Sequence, residues 1–315
     1  MNSTFAEAPG GASTAAAPPA ATGLGVTLLT LVRRELWEHR ALWIAPLCLT
    51  ALLAVVATIG QIHIDLHDVA RIGSEQQKVA LFTIIQRVLA MPLYVLAIFL
   101  GGFYLLDCLY AERKDRSILF WKSLPVSDGL TVASKLLVAL VVLPFGVFAL
   151  ALVAHLLFTA ILGVRVALGN LPPVLIWNTY EWLRTELVML LATVLAVLWY
   201  APIAAYMLLV SAWARRSPIA WATVPVVLAP LLEWVAFGTR YVLSFFHYRT
   251  NGIWEILGVG HSHIVTPNAI HPVGTALEVL NLGGAFASLD LWLGVAAAVA
   301  MAFAATRIRR YRDET

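Results

Sequence analysis

The sequence predicts an all-α membrane protein that crosses the bilayer six times. Of its 315 residues, 61% are hydrophobic and only 12% are charged, and the mean hydropathy is +0.84. Soluble domains carry roughly 25% Asp, Glu, Lys and Arg, so this chain has too few charges to cover a water-exposed surface. Runs of about 20 apolar residues, the length that crosses the hydrocarbon core, recur along it. An ordinary soluble protein is therefore excluded. The chain has only two cysteines, Cys48 and Cys108, which also excludes a disulfide framework and a cysteine zinc site.

The first segments differ from the apolar runs that follow. Residues 1–23 are rich in Ala, Pro, Gly, Ser and Thr, and they predict a disordered tail. They lack the basic region and apolar core of a signal peptide. From Leu28 to Arg40, apolar residues such as Leu29 and Leu36 share one helical face, and Arg34 lies on the other. This pattern predicts an amphipathic interfacial helix, or alternatively the water-facing end of the first span.

Six apolar stretches have the length of a transmembrane helix, and an even number places both termini on one side of the membrane. They are residues 41–60, 88–106, 136–164, 187–213, 219–237 and 289–306. The third and fourth exceed the length of a perpendicular span, so we expect them to tilt, to project beyond the bilayer, or to kink at Pro144 and Pro202. Ser127 or Asp128 is placed to cap the helix that becomes the third span.

Basic residues are divided unequally between the two sides of this topology. Of the 21 Lys and Arg, 14 lie on the side of the termini and seven on the other. The positive-inside rule therefore predicts that both termini are cytoplasmic. The net charge of +3 therefore corresponds to an excess of basic residues on the predicted cytoplasmic side.

The outer region from Gly238 to Asp290 is too apolar for an ordinary solvated loop. Residues 241–248 and 253–259 predict two short helices that dip back toward the membrane, with an ordinary folded loop as the alternative. His261 and His263 also lie here, and imidazole suits zinc and copper. Residues two apart share a face only on a strand, so incidental loop histidines are the simpler interpretation. A metal site at these two residues is kept as an alternative.

Two polar residues inside the predicted spans are candidates for a translocation path. Burying the carboxylate of Glu233 costs about 2.5 to 3.5 kcal/mol on insertion scales. Glu233 should therefore face a protein interior, a partner or an aqueous path, unless it lies near the outer end of its helix and bonds to a neighbour. His155, within the third span, is either a satisfied core residue or part of the same path.

Motifs that would carry chemistry are missing from the sequence. The nearest approach to a phosphate-binding loop, Gly129 to Lys135, lacks the second glycine, and there is no HExxH or GxSxG. We therefore expect no enzymatic activity and no cofactor on this chain. We also expect no nucleic-acid partner.

The most distinctive segment follows the second span. Residues 110–117 are dense in charge, and the bulky apolar run 118–121 follows at once. Helical spacing pairs Glu112 with Arg116, and Pro125 disfavours continuation of the helix. Apolar side chains exposed to the cytosol need cover. This segment therefore predicts a docking element for a soluble partner, or alternatively an interfacial helix with its aromatic rings among the headgroups.

At these residues the sequence resembles the permease subunits of ABC transporters of the ABC-2 type. The most specific part is the string Phe120-Trp121-Lys122-Ser123-Leu124-Pro125-Val126-Ser127-Asp128. The likeness covers nearly the whole chain after residue 24. It includes an entry helix with Arg33-Arg34-Glu35-Leu36, six spans and an apolar outer region before the last span.

The resemblance implies roles for particular segments. Residues 112–122 would form a coupling helix that inserts into a cleft of a separate ATPase, and residues 28–39 a connecting helix against the same ATPase. The outer pieces before the last span would be re-entrant helices of an outer gate. The implied ATPase-docking residues are Glu112, Arg113, Lys114, Asp115, Arg116, Phe120, Trp121 and Lys122. The implied connecting-helix residues are Arg33, Arg34, Glu35 and Trp37.

The resemblance also implies an assembly in the bacterial inner membrane. Two permease copies, expected to be identical, would form the substrate path of an exporter, and two ATPase subunits would bind ATP and Mg²⁺. The transported substrate is not indicated by any motif. Two alternatives from other classes are a membrane-embedded metalloprotein or metalloenzyme that uses the outer histidines, and a receptor or immunity protein that does not transport.

Overall fold

The computed structural model describes residues 23–59, 75–123, 126–168, 179–256 and 282–311, of which 93% are helical and none are in strands. The helices are α1 Leu24–Glu38, α2 Ala41–Ile59, α3 Glu75–Lys114, α4 Ser117–Ser123, α5 Asp128–Leu137, α6 Leu143–Leu168, α7 Thr179–Trp213, α8 Pro218–Phe237, α9 Tyr241–Ile256, α10 Leu282–Ala287 and α11 Leu289–Tyr311. Five described helical segments are long and apolar enough to cross a membrane, or six if the bent pair α1–α2 forms one span. The described residues therefore fit a multi-pass membrane protein, as the composition predicts.

The chain enters the bundle through a sharp bend. The axes of α1 and α2 differ by 62°, and the break falls at His39 and Arg40. The indole of Trp43 bridges it by donating a hydrogen bond to the carbonyl oxygen of Leu36 at 3.2 Å. Leu29, on the apolar face predicted for α1, is exposed, and Leu31 is buried. The bend lies directly before Ala41, where the sequence predicts the first span to begin.

The second span is much longer than its apolar run. α3 continues from the predicted end at residue 106 to Lys114. It stops there because Arg116 adopts a left-handed backbone conformation, with φ of 56°. Hydropathy marks only the lipid-facing part of a helix, whereas its true end depends on where the backbone leaves helical geometry.

The third span has an irregular turn next to Pro144, one of the two prolines at which the sequence predicts a kink. Residues 138–142 form one turn of π-helix between α5 and α6, closed by a hydrogen bond from the Leu143 N–H to the Val138 carbonyl oxygen. Proline has no N–H and cannot continue the α-helical bonding pattern, which explains a wider turn beside it. The hydroxyl of Ser127 caps α5 by accepting from the N–H of Leu130 at 3.3 Å, as predicted. α7 runs through Pro202 without a break.

α7 is the central helix of the described bundle, since it packs against α3, α6, α8, α9 and α11. Its contact with α11 is made by small side chains, among them Ala201, Ala205 and Ala298. Small residues allow two backbones to approach closely, which is how helices associate in lipid, where apolar burial between them gains little.

Where the sequence predicts two short helices, at residues 241–248 and 253–259, the described residues 241–256 form one continuous helix. α9 runs from Tyr241 to Ile256, and residues 257–281 lie outside the described part. Its second half is fastened to α7 and α11 by Arg249, whose Nη2 donates to the carbonyl oxygen of Trp199 at 2.7 Å and whose Nη1 donates to that of Asp290 at 3.3 Å. The guanidinium also lies 4.4 Å from the centroid of the Trp199 ring.

Gly294 provides the space for this guanidinium. A Cβ atom at position 294 would lie 2.0 Å from Nη2 of Arg249, so Gly294→Ala must displace the side chain. We expect a loss of about 1 to 3 kcal/mol of stability, the usual effect of overpacking, with faster hydrogen exchange in α9. Thermal unfolding and hydrogen–deuterium exchange measure both effects.

The matched control for this substitution is Gly146→Ala in α6. A Cβ at Gly146 meets nothing within 4 Å, and alanine is the better helix former, so this variant should be neutral or slightly stabilised. Equal behaviour of the two variants would show that the Arg249 clamp contributes nothing.

Candidate functional site

Charged side chains from four helices converge at one end of the bundle, here called the basic end. This is the end at which α3 stops, α5 begins and α11 finishes. The group, here called the basic-end cluster, consists of Arg34, Glu35, Glu112, Asp128, Lys135 and Arg309.

Lys135 is the centre of the cluster. Its Nζ lies 2.8 Å from Oε1 of Glu35 and 3.0 Å from Oε1 of Glu112, and its side chain is only 1% exposed. The second oxygen of Glu35 accepts a hydrogen bond from the Tyr104 hydroxyl at 2.9 Å. One ammonium group from α5 thus joins carboxylates from α1 and α3.

Arg309 extends the cluster to the last helix. Its Nη1 bonds to Oε2 of Glu112, and its Nε donates to Oδ1 of Asp128 at 3.0 Å. Arg34 lies at the edge, with Nη2 3.8 Å from Oε1 of Glu112, and makes a closer bond to Glu38 at 2.8 Å. Every charged group in the cluster therefore has an opposite charge beside it.

This arrangement fixes geometry more than it adds stability. Removing charges from water is costly, so a buried ion pair is often no more stable than a well-packed apolar pair. Its bonds are directional, however, and breaking one leaves an uncompensated charge. The cluster therefore holds α1, α3, α5 and α11 in one relative position at the basic end.

The short helix α4 lies next to this cluster. Its inner residue Ile118 is buried, whereas Phe120 is 60% exposed. Trp121 is half-buried, with Cζ of Arg34 3.1 Å from its ring centroid, and Phe120 packs edge-to-face against it at 5.0 Å. α4 is thus joined to the cluster through Arg34 and presents a bulky apolar side chain away from it.

The predicted pairing of Glu112 with Arg116 is wrong. Because α3 ends at Lys114 and Arg116 has a left-handed backbone conformation, Arg116 does not occupy the next turn of α3. Glu112 instead bonds to Lys135 and Arg309, which are distant in sequence. The segment predicted as one helix, residues 112–122, is divided between the end of α3 and the separate helix α4.

The predicted docking residues fall into two groups. Lys114, Asp115, Arg116 and Phe120 are exposed. Glu112 is buried in the cluster, and Arg113 donates to the carbonyl oxygens of Ser211 and Ala214, at 2.6 and 2.8 Å, where it closes the end of α7. Those two side chains act within the bundle rather than at its surface. The side chain of Lys122 lies outside the described part.

The predicted connecting-helix residues are divided in the same way. Arg33 and Trp37 are exposed on α1, whereas Glu35 is buried and Arg34 contacts both Glu38 and Trp121. α1 therefore has an outer face available to a partner or to lipid headgroups, and an inner face whose side chains bond within the basic-end cluster.

His155 lies in a second buried polar group, toward the opposite end of the bundle. Its Nδ1 is 2.6 Å from Oε1 of Glu186, and its Nε2 is 2.9 Å from the carbonyl oxygen of Gln86. Both ring nitrogens thus face oxygen atoms, so the imidazole of His155 is held between the backbone of α3 and the side chain of Glu186 on α7.

Sequence reasoning missed Glu186. It treated Glu233 as the one acidic residue deep in a span, because Glu186 stands one residue before the predicted fourth span. The helix begins earlier, at Thr179, and Glu186 is buried against α6. A search for acidic residues within one helical turn of a span boundary would have found it.

Glu233 caps a helix. Its Oε1 accepts from the hydroxyl of Thr239 at 2.6 Å and from the N–H of Tyr241 at 2.8 Å, and its Oε2 accepts from the N–H of Val242 at 2.7 Å. This satisfies the first amide groups of α9. The alternative given by the sequence, a glutamate near the outer end of its helix bonded to a neighbour, describes this position.

The described residues contain one group of side chains spaced for a metal ion, at Glu35, Glu38 and His39. Its carboxylates are already bonded, Glu35 to Lys135 and Tyr104, and Glu38 to Arg34. Metal ligands of this kind must be available to donate to the cation, so the geometry of this group gives no support for a metal site. His261 and His263 lie outside the described residues.

Comparisons of the chain with protein-family models, with curated proteins and with solved structures give no match.

Proposed function

We propose that this chain is the transmembrane permease subunit of an ATP-driven exporter of the ABC-2 type. It works as a homodimer in the bacterial inner membrane, with the basic end and both termini in the cytoplasm, and two copies of a separate ATPase supply the ATP and Mg²⁺. The observation that carries the proposal is α4, a short helix at the basic end that exposes the ring of Phe120 and contacts, through Arg34, the cluster that joins four helices.

The surface of α4 has the composition of a docking site. Phe120 is exposed, and the exposed charged residues Lys114, Asp115 and Arg116 precede it closely in the chain. An apolar centre with a polar rim is the usual anatomy of a protein interface, and large exposed apolar side chains at the edge of a membrane protein require cover.

The contacts of α4 provide a route from this surface to the spans. α4 follows α3 after only Asp115 and Arg116, and Trp121 contacts Arg34. A partner that moves α4 therefore moves α3 directly and α1 through Arg34. Because the cluster also holds α5 and α11, the four helices respond as one body, in the manner of switches in which packed elements shift together.

The second copy is placed against α3 and α8, the second and fifth predicted spans. α3 exposes an apolar stripe at helical spacing, which includes Met91, Val95 and Phe99, and α8 is the least buried of the five candidate spans. Two such faces in a homodimer enclose a central path for cargo, and the scarcity of charge along them suits an apolar or amphipathic substrate.

Phe120→Ala tests the docking role. We expect it to weaken association with the partner ATPase by about 30-fold or more, because truncation of a docked aromatic anchor costs about 2 kcal/mol or more. Stimulated ATP hydrolysis should fall with it. Co-purification of the two chains and an ATPase assay in nanodiscs measure both quantities.

Tyr311→Ala is the matched control, since Tyr311 is also exposed at the basic end but lies on α11. Full ATPase binding by the Phe120→Ala protein would refute the docking assignment. If the native chain purifies without any ATPase, the permease role itself fails and the non-transporting receptor becomes the better explanation.

A further inference from the structure

A cavity of about 530 Å³ opens at the bend between α1 and α2. Its walls come from the bend, from the last turns of the apolar part of α3 and from the first turn of α8. The residues that characterise it are Arg40, Leu42, Leu100, Phe103, Asp107 and Ile219. Its volume is within the range of small-molecule sites, about 300 to 1,000 Å³.

The cavity lies at the level of the lipid headgroups. Arg40 directly precedes the apolar run of α2, Asp107 directly follows that of α3, and Pro218 begins α8. Three span ends that meet at one place mark the boundary between hydrocarbon and water. Trp213 and Trp221, which pack edge-to-face at 4.7 Å, lie at neighbouring span ends, and tryptophan is enriched at this boundary.

The polar part of the cavity includes Glu38, which is paired with Arg34, and one charge of each sign without a partner. Among the described residues, neither the guanidinium of Arg40 nor the carboxylate of Asp107 makes a hydrogen bond or an ion pair, and both are exposed. This contrasts with the basic-end cluster nearby, where every charge is compensated. Two unpaired charges of opposite sign that line one cavity are complementary to a zwitterion.

The apolar part of the cavity continues into the lipid-facing surface. Leu100 and Phe103 line it on α3 and Ile219 lines it on α8, and the side chains of Phe103 and Ile219 are more than a third exposed. A ligand that places its charges between Arg40 and Asp107 would therefore have its apolar portion against α3 and α8. This combination describes an amphiphile and not a soluble zwitterion.

We propose that this cavity binds a phospholipid whose headgroup carries both a phosphate and a primary ammonium group, from the leaflet at the basic end. The phosphate lies against Arg40, because guanidinium groups bond to phosphate in bidentate fashion. The ammonium group donates to Asp107. The site is independent of ATPase docking, so its occupancy can be tested on the chain alone.

The experiment is native mass spectrometry of the purified chain with three lipids of equal chain length. Phosphatidylethanolamine has the phosphate and the primary ammonium, phosphatidylcholine replaces the N–H donors by methyl groups, and phosphatidylglycerol has no cation. We expect preferential retention of phosphatidylethanolamine by about tenfold, the size of one charge-assisted hydrogen bond. Equal retention of the three lipids would overturn the proposal.

Two substitutions assign the contacts. Asp107→Asn should abolish the preference for phosphatidylethanolamine over phosphatidylglycerol, and Arg40→Gln should weaken all three lipids alike. Asp115→Asn and Arg33→Gln, exposed residues at the same end that do not line the cavity, are the controls. A loss of preference in the controls as large as in the cavity variants would reject the site.

A competition arm distinguishes the lipid from its soluble headgroup. Glycerophosphoethanolamine carries the same charges without acyl chains, and we expect it not to displace the lipid at a comparable concentration. Displacement by it would overturn the lipid assignment. Size-exclusion profiles confirm that each variant is folded, and an unfolded Asp107→Asn protein would itself contradict the exposed, unpaired position given to that residue.

Discussion

Replacing Lys135 with methionine is expected to destabilise the bundle by about 3 to 5 kcal/mol, the cost of removing one partner from a buried ion pair. The substitution keeps most of the side-chain volume but leaves the carboxylates of Glu35 and Glu112 without the ammonium group that lies 2.8 and 3.0 Å from them. Thermal unfolding in detergent, followed by tryptophan fluorescence, measures the loss.

Two further variants make this prediction specific to the cluster. Lys114→Met removes a charge from an exposed position in the last turn of α3. It should change stability by less than about 0.5 kcal/mol. Combining Lys135→Met with Glu35→Gln removes one of the two carboxylates that have lost the ammonium group of Lys135, so stability should partly recover. A Lys135→Met protein as stable as the Lys114→Met protein would mean that the cluster does not hold the helices together.

Replacing Glu186 with leucine is expected to cost a similar 3 to 5 kcal/mol. The substitution deprives His155, which is fully buried, of the carboxylate at 2.6 Å. Glu186→Gln should cost less, because an amide still offers an oxygen or an N–H to Nδ1. Unfolding free energies of the two variants give the comparison.

The double variant His155→Phe with Glu186→Leu completes the cycle. Removing both side chains leaves neither member of the pair without its partner, so the double variant should be more stable than Glu186→Leu alone. Glu38→Leu is the control, since its exposed pair with Arg34 contributes about 1 kcal/mol or less. Additive effects of the two substitutions would show that His155 and Glu186 do not act as a pair.

Sequence alone predicted where most helices lie, because hydrophobicity is a local property that sums along the chain. The predicted spans 219–237 and 187–213 agree closely with α8 and with the end of α7. The helix ends differ from the predicted boundaries where the helix continues past its apolar run, as in α3, or where two predicted helices are one, as in α9. Those ends depend on backbone conformation and capping, which hydropathy does not measure.

The candidate site was predictable only in part. The sequence singled out the segment after the second span, and Phe120 is exposed there on a short helix. The sequence did not show that Phe120 is exposed whereas Glu112 and Arg113, in the charged stretch just before it, have their partners inside the bundle. Charge density predicts a polar segment, whereas the partner of each charge is contributed by another helix.

The separation in sequence between paired residues explains which features the sequence predicted and which it did not. The chain's own composition determined that it belongs in a membrane, and its local patterns determined most of its helices. Only the tertiary structure decided that Lys135 would neutralise Glu35, 100 residues before it, and that Arg309 would reach Glu112 across 197 residues. Such pairs form when packed helices bring their ends together, and no local pattern records which helices will meet.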